Sequence, residues 1–149
     1  MLLEEFEDVA AVIEPTEKPV HDKGEVCETI ILSFNGEILK RLIESEEVYP
    51  GGYLKSINGQ HPWYIYGQGP SKLAVMLAPI GAPMIVGQLE ELVARGFKNF
   101  IILGSCGVLD HSIEADKIIL PAAALRDEGT SYHYAPPGDE VAYDESLLI

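Results

Sequence analysis

Between Lys72 and Pro137 the chain alternates apolar runs with turns built on glycine or proline. Lys72–Leu77 reads as a buried strand, and Ala78-Pro79-Ile80-Gly81-Ala82-Pro83 as the turn that follows it. Pro83–Arg95 reads as a helix: proline is tolerated at its start, Ile85, Leu89, Leu92 and Val93 form one apolar stripe, and Gly96 is a C-terminal stop. Asn99–Leu103 reads as a central strand, Gly104-Ser105-Cys106-Gly107 as a tight turn, and Lys117–Leu120 as a further strand closed by Pro121. Arg126–Pro137 is a polar, aromatic loop. A succession of this kind predicts an α/β sheet, and each turn lies at a strand end, where such sheets hold their ligands.

The segment before it is consistent with one layer of the same fold. Glu25–Phe34 predicts the first strand. Asn35–Glu47 predicts a helix with Asn35 as N-cap and Ile38, Leu39, Leu42 and Ile43 on one face, stopped by Tyr49-Pro50-Gly51-Gly52. Tyr53–Ile57 and Trp63–Tyr66 flank Asn58-Gly59, which predicts a hairpin and some antiparallel pairing. Residues 1–24 are acidic and carry Pro15 and Pro19, with an apolar patch at Val9–Ile13; they read as an arm or edge element. The chain closes on Ser146-Leu147-Leu148-Ile149, which reads as the opening turn of a helix. No repeat or interdomain linker divides residues 1–149, so one domain is expected.

Charge narrows the partners. The 149 residues carry a formal net charge of −14. Such a surface repels polyanions, so neither nucleic acid nor an anionic membrane is an expected partner. A small anion held by local donors remains compatible. The N-terminus is acidic where a signal peptide is basic, and the longest nearly apolar run, Leu73–Gly87, is too short to span a bilayer. A cytoplasmic protein is expected. Cys27 and Cys106 do not form a secreted disulfide framework, and a free cysteine after an apolar strand, as Cys106 is, is usually buried and inert. His21, His61, His111 and His133 lack metal-ligand spacing, so no metal is expected.

Three turns carry candidate chemistry. Gly104-Ser105-Cys106-Gly107 offers backbone amides and a hydroxyl to an oxyanion; it can equally be a plain tight turn. The Gly81 turn precedes a helix N-terminus, a geometry that suits an anion and that is also the ordinary strand-to-helix connection. Arg126 to Tyr134 is dense in donors, acceptors and aromatic faces, and its bland alternative is a solvated surface loop. Gly67-Gln68-Gly69 matches half of a dinucleotide fingerprint, but its sixth position is Lys72 and a strand follows, so it reads as a turn only.

Taken together, these pieces resemble the nucleoside phosphorylase superfamily. Ile80-Gly81-Ala82-Pro83 with Gln88-Leu89-Glu90-Glu91-Leu92 is similar to its Gly-x-Gly-x-Pro turn and Glu-Glu-Leu helix. Gly104-Ser105-Cys106-Gly107 is similar to its Gly-Ser/Thr-Cys/Thr-Gly turn, and the loop from Arg126 to Pro136 resembles that of the uridine phosphorylase branch. The resemblance implies a three-layer α/β/α sandwich around a twisted mixed sheet, assembled as a homo-oligomer. It implies phosphorolysis of a nucleoside, with inorganic phosphate as co-substrate and no other cofactor. By position it implies that Gly81 and Ser105 face phosphate and ribose and that Cys106, Gly107 and Tyr134 face the nucleobase, with Arg126, Glu128, Thr130 and Ser131 in the supporting loop.

The chain departs from the family pattern in places that bear on activity. Ile102 stands where an arginine usually binds phosphate, and Met84 stands where a serine usually follows the proline. There is no Gly-Asp-Pro-x-Arg loop, and the C-terminal Met-Glu segment that binds ribose has no counterpart. The chain therefore reads as the N-terminal part of a nucleoside phosphorylase-like protein, incomplete and weakly active or inactive as it stands. The alternatives are a non-catalytic nucleoside- or nucleobase-binding or assembly module, a nucleosidase using water, and, furthest from the motifs, a generic Rossmann-like cofactor binder.

Overall fold

The computed structural model describes residues 6–17, 24–114 and 116–142. It divides into two compact units, residues 11–105 and residues 106–149 with 1–10.

The first unit is built on a five-stranded mixed sheet. Its strands are β1 (Thr29–Ser33), β2 (Val48–Ser56), β3 (Gly59–Tyr66), β4 (Leu73–Leu77) and β5 (Asn99–Leu103), in the order β2-β3-β4-β1-β5. β1 runs parallel to both β4 and β5, whereas β3 is antiparallel to β2 and β4. The α/β expectation therefore holds, including the antiparallel component announced by the hairpin.

Two helices cover opposite faces. α1 (Gly36–Glu44) begins at Asn35, whose Oδ1 accepts the Glu37 N–H at 3.0 Å. α2 (Ala82–Arg95) runs from Gly81 to Gly96, both at positive φ, and Phe97 N–H closes on Leu92 O. Strand alternation puts Ile30, Leu32, Ala74, Met76, Trp63 and Ile65 on one face, and there they form the core with Leu92 and Phe97. α1 lies over the other face, where a Cβ at Gly36 would stand 3.7 Å from Leu77 Cδ1. Of the four apolar residues expected on one face of α1, only Leu39 is buried; Ile38 and Ile43 are exposed.

Trp63 organises the core. Its ring is fully buried, packs edge-on to Phe97 at 5.7 Å between centroids, and has the Arg95 guanidinium 5.3 Å from the ring centroid. Its indole N–H donates to Glu25 O at 2.8 Å. Gly51 and Gly52 lie under this ring, so Tyr49–Gly52 does not stop the first helix as expected. α1 ends earlier, through Ser45 and a positive φ at Glu46, and Pro50-Gly51-Gly52 runs inside β2 with a bulge between Pro50 and Gly52.

Two further expectations fail within the first unit. The strand expected over Glu25–Phe34 is only Thr29–Ser33, because Glu28 O turns aside to accept the N–H groups of Lys98 and Asn99. β5 is an edge strand among the described residues and not a central one: it pairs only with β1, and Ile101, Ile102 and Leu103 are each about half exposed.

Glu25 and Lys72 give this unit a pH dependence. Lys72 Nζ lies 2.6 Å from Glu25 Oε1, and the Tyr49 hydroxyl donates to the same oxygen at 3.2 Å. The Lys72 bond holds the Glu25 carboxyl below its ordinary value of 4.5, and the same bond raises the Lys72 ammonium. A depressed carboxylate contributes stability above its unfolded value and loses it as pH falls through the folded one; the raised ammonium contributes below its unfolded value and loses it at strongly alkaline pH. Glu25→Gln is therefore expected to flatten the acid side of the urea-midpoint profile between roughly pH 5 and 3, while leaving its shape near neutrality unchanged.

The second unit carries a two-stranded antiparallel ribbon, β6 (Ala123–Leu125) with β7 (Glu140–Ala142). Lys117–Leu120, expected as a strand, is not one: the pairing begins beyond Pro121, and Ile118 is fully exposed. A short 3-10 turn, Thr130–His133, lies in the loop between the two strands. The arm expected over residues 1–24 shows an exposed Val9–Ile13 patch and a 3-10 turn at Pro15–Glu17. The helical turn expected at the C-terminus lies outside the described residues.

Candidate functional site

The carboxyl ends of β1, β4 and β5 meet. β1 feeds a helix on one face and β4 feeds a helix on the other, so the crevice between them is the point where an open α/β sheet binds ligands. The three ends are tied together: Ala78 N–H donates to Ser33 O at 2.8 Å and Phe34 N–H to Leu103 O at 2.9 Å. Ser33 is buried, and its Oγ accepts the Asn35 N–H at 3.1 Å, which fixes the turn into α1.

A cavity of about 410 Å³ opens there on the α1 side, with Ser105 and Gly104 along one wall and the Ser33–Ile38 turn along the other. A Cβ on Gly104 would come within 3.3 Å of Phe34 Cδ2, so a larger residue there would press the Phe34 ring outward by a few tenths of an ångström. The polar groups offered to a ligand are hydroxyls, the Asn35 amide and backbone groups at the start of α1. Among the described residues no lysine or arginine lines the cavity, and Glu37 is part of its wall.

The structure thus joins Ser105 to a wall that the motif reading missed. Asn35 was legible as a helix cap, but its place beside Ser105 depends on the parallel β1–β5 pairing. The available signal was Asn35-Gly36 directly after a β-rich run, which is itself a strand-to-helix turn at a strand's carboxyl end.

Gly81 stands at the end of β4 with φ +105°, its carbonyl accepting the N–H groups of Met84 and Ile85, and nothing lies within 4 Å of its Cβ position. It is not part of the Ser105 cavity wall. Ile102 alternates with Leu103 and pairs with Leu32, so it belongs to the α2 face. Cys106 is exposed with a free thiol, against the expectation that it is buried; Gly107 is open on its Cβ side.

In the second unit Arg126 is almost fully buried and holds its own loop. Nε donates to Ser131 Oγ at 2.9 Å, Nη2 to Ala135 O at 3.2 Å and Nη1 to Pro136 O, and the guanidinium lies 4.2 Å from the centroid of the Tyr132 ring. The Glu128 carboxylate accepts the Thr130 N–H at 2.7 Å and the Ser131 N–H at 3.1 Å; its hydrogen bonding with Ser131, foremost among its contacts, holds it below the usual carboxylate range. Tyr134 follows this turn, half exposed, with its N–H on Ser131 O.

Fold and crevice define an α/β protein with a ligand cavity at the carboxyl ends of its parallel strands. The sequence profile of the phosphorylase superfamily matches residues 28–148, and the chain belongs to that superfamily. Over 64 residues it is 38% identical to a uridine phosphorylase of Treponema pallidum, covering 43% of this chain and 25% of that protein. Over 62 residues it is 40% identical to a uridine phosphorylase of Thermococcus kodakarensis, covering 42% of this chain and 22% of the relative. A DeoD-type purine nucleoside phosphorylase of Caldanaerobacter subterraneus is 25% identical over 140 residues, covering 84% of this chain and 58% of its own length. The chain thus spans about a quarter of the uridine phosphorylases it matches. No solved structure matches it significantly. Among the described residues no helix is long and apolar enough to cross a membrane.

Proposed function

We propose that this chain supplies one wall of a nucleoside site in a phosphorylase, and that alone it binds nucleoside but turns it over weakly or not at all. In phosphorolysis a phosphate oxygen bonds to the anomeric carbon while the N-glycosidic bond breaks; the base leaves with the electron pair and takes up a proton. The enzyme must hold the anion and stabilise the departing base. Ser105 is assigned to a phosphate or ribose oxygen, Gly81 to the sugar side, and Cys106, Gly107 and Tyr134 to the base, with Arg126, Glu128, Thr130 and Ser131 shaping the loop that carries Tyr134. Uridine or a purine nucleoside is the substrate, inorganic phosphate the co-substrate, and no further cofactor takes part. A cytoplasmic homo-oligomer is the setting this reading calls for.

One observation carries the prediction of weak turnover: among the described residues no lysine or arginine lines the Ser105 cavity, and Glu37 is part of its wall. Each charge-assisted bond to phosphate contributes about 1.5–3 kcal/mol, and here the arrangement favours a neutral ligand over an anion. The same observation favours, as a second reading, a non-catalytic nucleoside-binding module.

Base release from uridine and inosine, with and without phosphate, tests the proposal. The expected result is no phosphate-dependent release above background, together with saturable uridine binding that weakens about two- to tenfold in Ser105→Ala. Robust phosphate-dependent turnover overturns the prediction of weak activity. Uridine binding that ignores Ser105→Ala overturns the placement of the site.

A further inference from the structure

Asparagine followed by glycine occurs twice in the chain, at Asn35-Gly36 and at Asn58-Gly59. The pair is chemically reactive. Glycine has no side chain to keep its main-chain nitrogen away from the asparagine Cγ, so the two atoms can meet and close a ring. How readily they do so depends on how the fold holds each pair, and it holds the two differently.

Asn35 is held at three atoms. Its Oδ1 accepts the Glu37 N–H at 3.0 Å, its own N–H donates to Ser33 Oγ at 3.1 Å, and its carbonyl accepts that hydroxyl at 3.3 Å. The nitrogen that would attack belongs to Gly36, the first residue of α1. Ring closure there has to break the N-cap and unwind the opening turn of a helix.

Asn58 stands at the tip of the β2–β3 hairpin, exposed, as are Ile57, Gly59 and Gln60 around it. Its main-chain N–H donates to Ser56 Oγ at 3.1 Å, but among the described residues nothing bonds its side-chain amide. Gly59, at φ +115°, has no atom within 4 Å of its Cβ position. Ser56–Gly59 is also the last pair of the ladder, and terminal pairs open most easily. The third asparagine, Asn99, precedes the bulky Phe100 in β5. The turn needs a glycine for that positive φ, so the residue that lets the hairpin close is also the one that leaves its tip reactive.

We propose that Asn58 is a site of spontaneous deamidation in the folded chain and that Asn35, with the same neighbour, is protected by its cap. The Gly59 nitrogen attacks Asn58 Cγ, the new C–N bond closes a cyclic imide, and the Cγ–Nδ2 bond breaks, releasing ammonia that carries away the Gly59 proton. Water then adds to one imide carbonyl and reopens the ring. Attack at Cγ gives aspartate; attack at the main-chain carbonyl gives isoaspartate. Either product adds one negative charge to the hairpin, and isoaspartate also inserts a methylene into the main chain, which disrupts the Ser56–Gly59 pairing. Lys55, Ser56 and His61 of this hairpin line a cavity of about 210 Å³ against α2, with Ser56 Oγ and His61 Nε2 2.8 Å apart. The modification therefore alters that wall irreversibly as the chain ages. The proposal does not rest on the function assigned to the Ser105 cavity.

Incubation of the whole chain at mildly alkaline pH, followed by peptide mass spectrometry, tests it. The Asn58 peptide is expected to gain one mass unit and, in ¹⁸O-labelled water, to take up one ¹⁸O atom. It is expected to do so at least about fivefold faster than the Asn35 peptide, the margin an N-cap contributes. In urea, where neither turn is formed, the two rates are expected to converge. Glu37→Pro removes the N–H held by Asn35 and is tolerated in a first helical turn; it is expected to speed the loss at Asn35 by about two- to thirtyfold and to leave Asn58 unchanged. Equal rates at Asn58 and Asn35 in the folded chain, or a faster Asn35, overturn the proposal. So do an Asn35 rate that Glu37→Pro leaves unchanged and a ratio that survives in urea, because the difference then lies in the neighbouring sequence and not in the fold.

Discussion

Trp63→Ala is expected to cost about 3–5 kcal/mol, the range for truncating a buried large aromatic, and to lower the melting temperature by roughly 10–15 °C. The whole stability of a domain is about 5–15 kcal/mol, so this one change removes a large share of it. The ring is the centre of several independent contacts, including Phe97, Arg95 and the hydrogen bond to Glu25 O, which all lose their partner together. Because Glu25 also carries the ion pair to Lys72, loss of the indole loosens the strap that links residue 25 to β2 and to Lys72, which precedes β4. Thermal unfolding followed by circular dichroism measures the loss; a drop of only a degree or two refutes the central role given to Trp63.

The glycines beneath the ring sharpen the test. A Cβ on Gly52 would stand 2.4 Å from Trp63 Cζ2, and one on Gly51 2.6 Å from Cδ1. The ring is fully enclosed and cannot step aside, so Gly52→Ala is expected to destabilise by about 1–3 kcal/mol. In a Trp63→Leu background the same substitution is expected to cost less, because the atoms it strikes are gone. Equal cost in both backgrounds means that the glycine serves backbone conformation rather than the ring.

This cluster also shows where sequence reading stops. α2 was legible because its limits are local: Gly81 and Pro83 at one end, Gly96 at the other, an apolar stripe between. The hairpin was legible for the same reason, although the structure closes it on the pair Ser56 and Gly59 around Ile57-Asn58. Pro50-Gly51-Gly52 has the local chemistry of a stop, and what places it within a strand is an indole eleven to thirteen positions away on β3. The β6–β7 pairing depends on a partner fifteen or more residues distant and on only three residues per strand, so Lys117–Leu120 was the stronger local signal and the wrong one. The Ser105 cavity was half legible: its motif side could be read from Gly104-Ser105, whereas its Ser33–Ile38 side exists only through the parallel register of β1 and β5.

Arg126→Ala is expected to dissolve the Thr130–His133 turn while leaving the five-stranded sheet intact. The guanidinium ties Ser131, Ala135 and Pro136 to the end of β6 and stacks on Tyr132, whose hydroxyl donates back to Arg126 O at 3.4 Å. All these partners fall between residues 126 and 138, so the clasp is confined to one loop. Hydrogen bonds to a charged group contribute about 1.5–3 kcal/mol, and their loss raises local opening by roughly 10- to 100-fold. Hydrogen exchange at the Tyr134 and Ala135 amides, which both donate to Ser131 O, is expected to accelerate by that factor, with protection in β1 and β4 unchanged. Arg126→Lys is expected to behave almost like the alanine variant, because an ammonium cannot reproduce a planar fork on two carbonyls and a hydroxyl. Under the nucleoside reading both variants weaken uridine binding through a displaced Tyr134 and not through a lost ligand contact, so Tyr134→Ala should add little to Arg126→Ala. Full additivity of the two would place Arg126 on the ligand itself and remove it from the role of holding the loop.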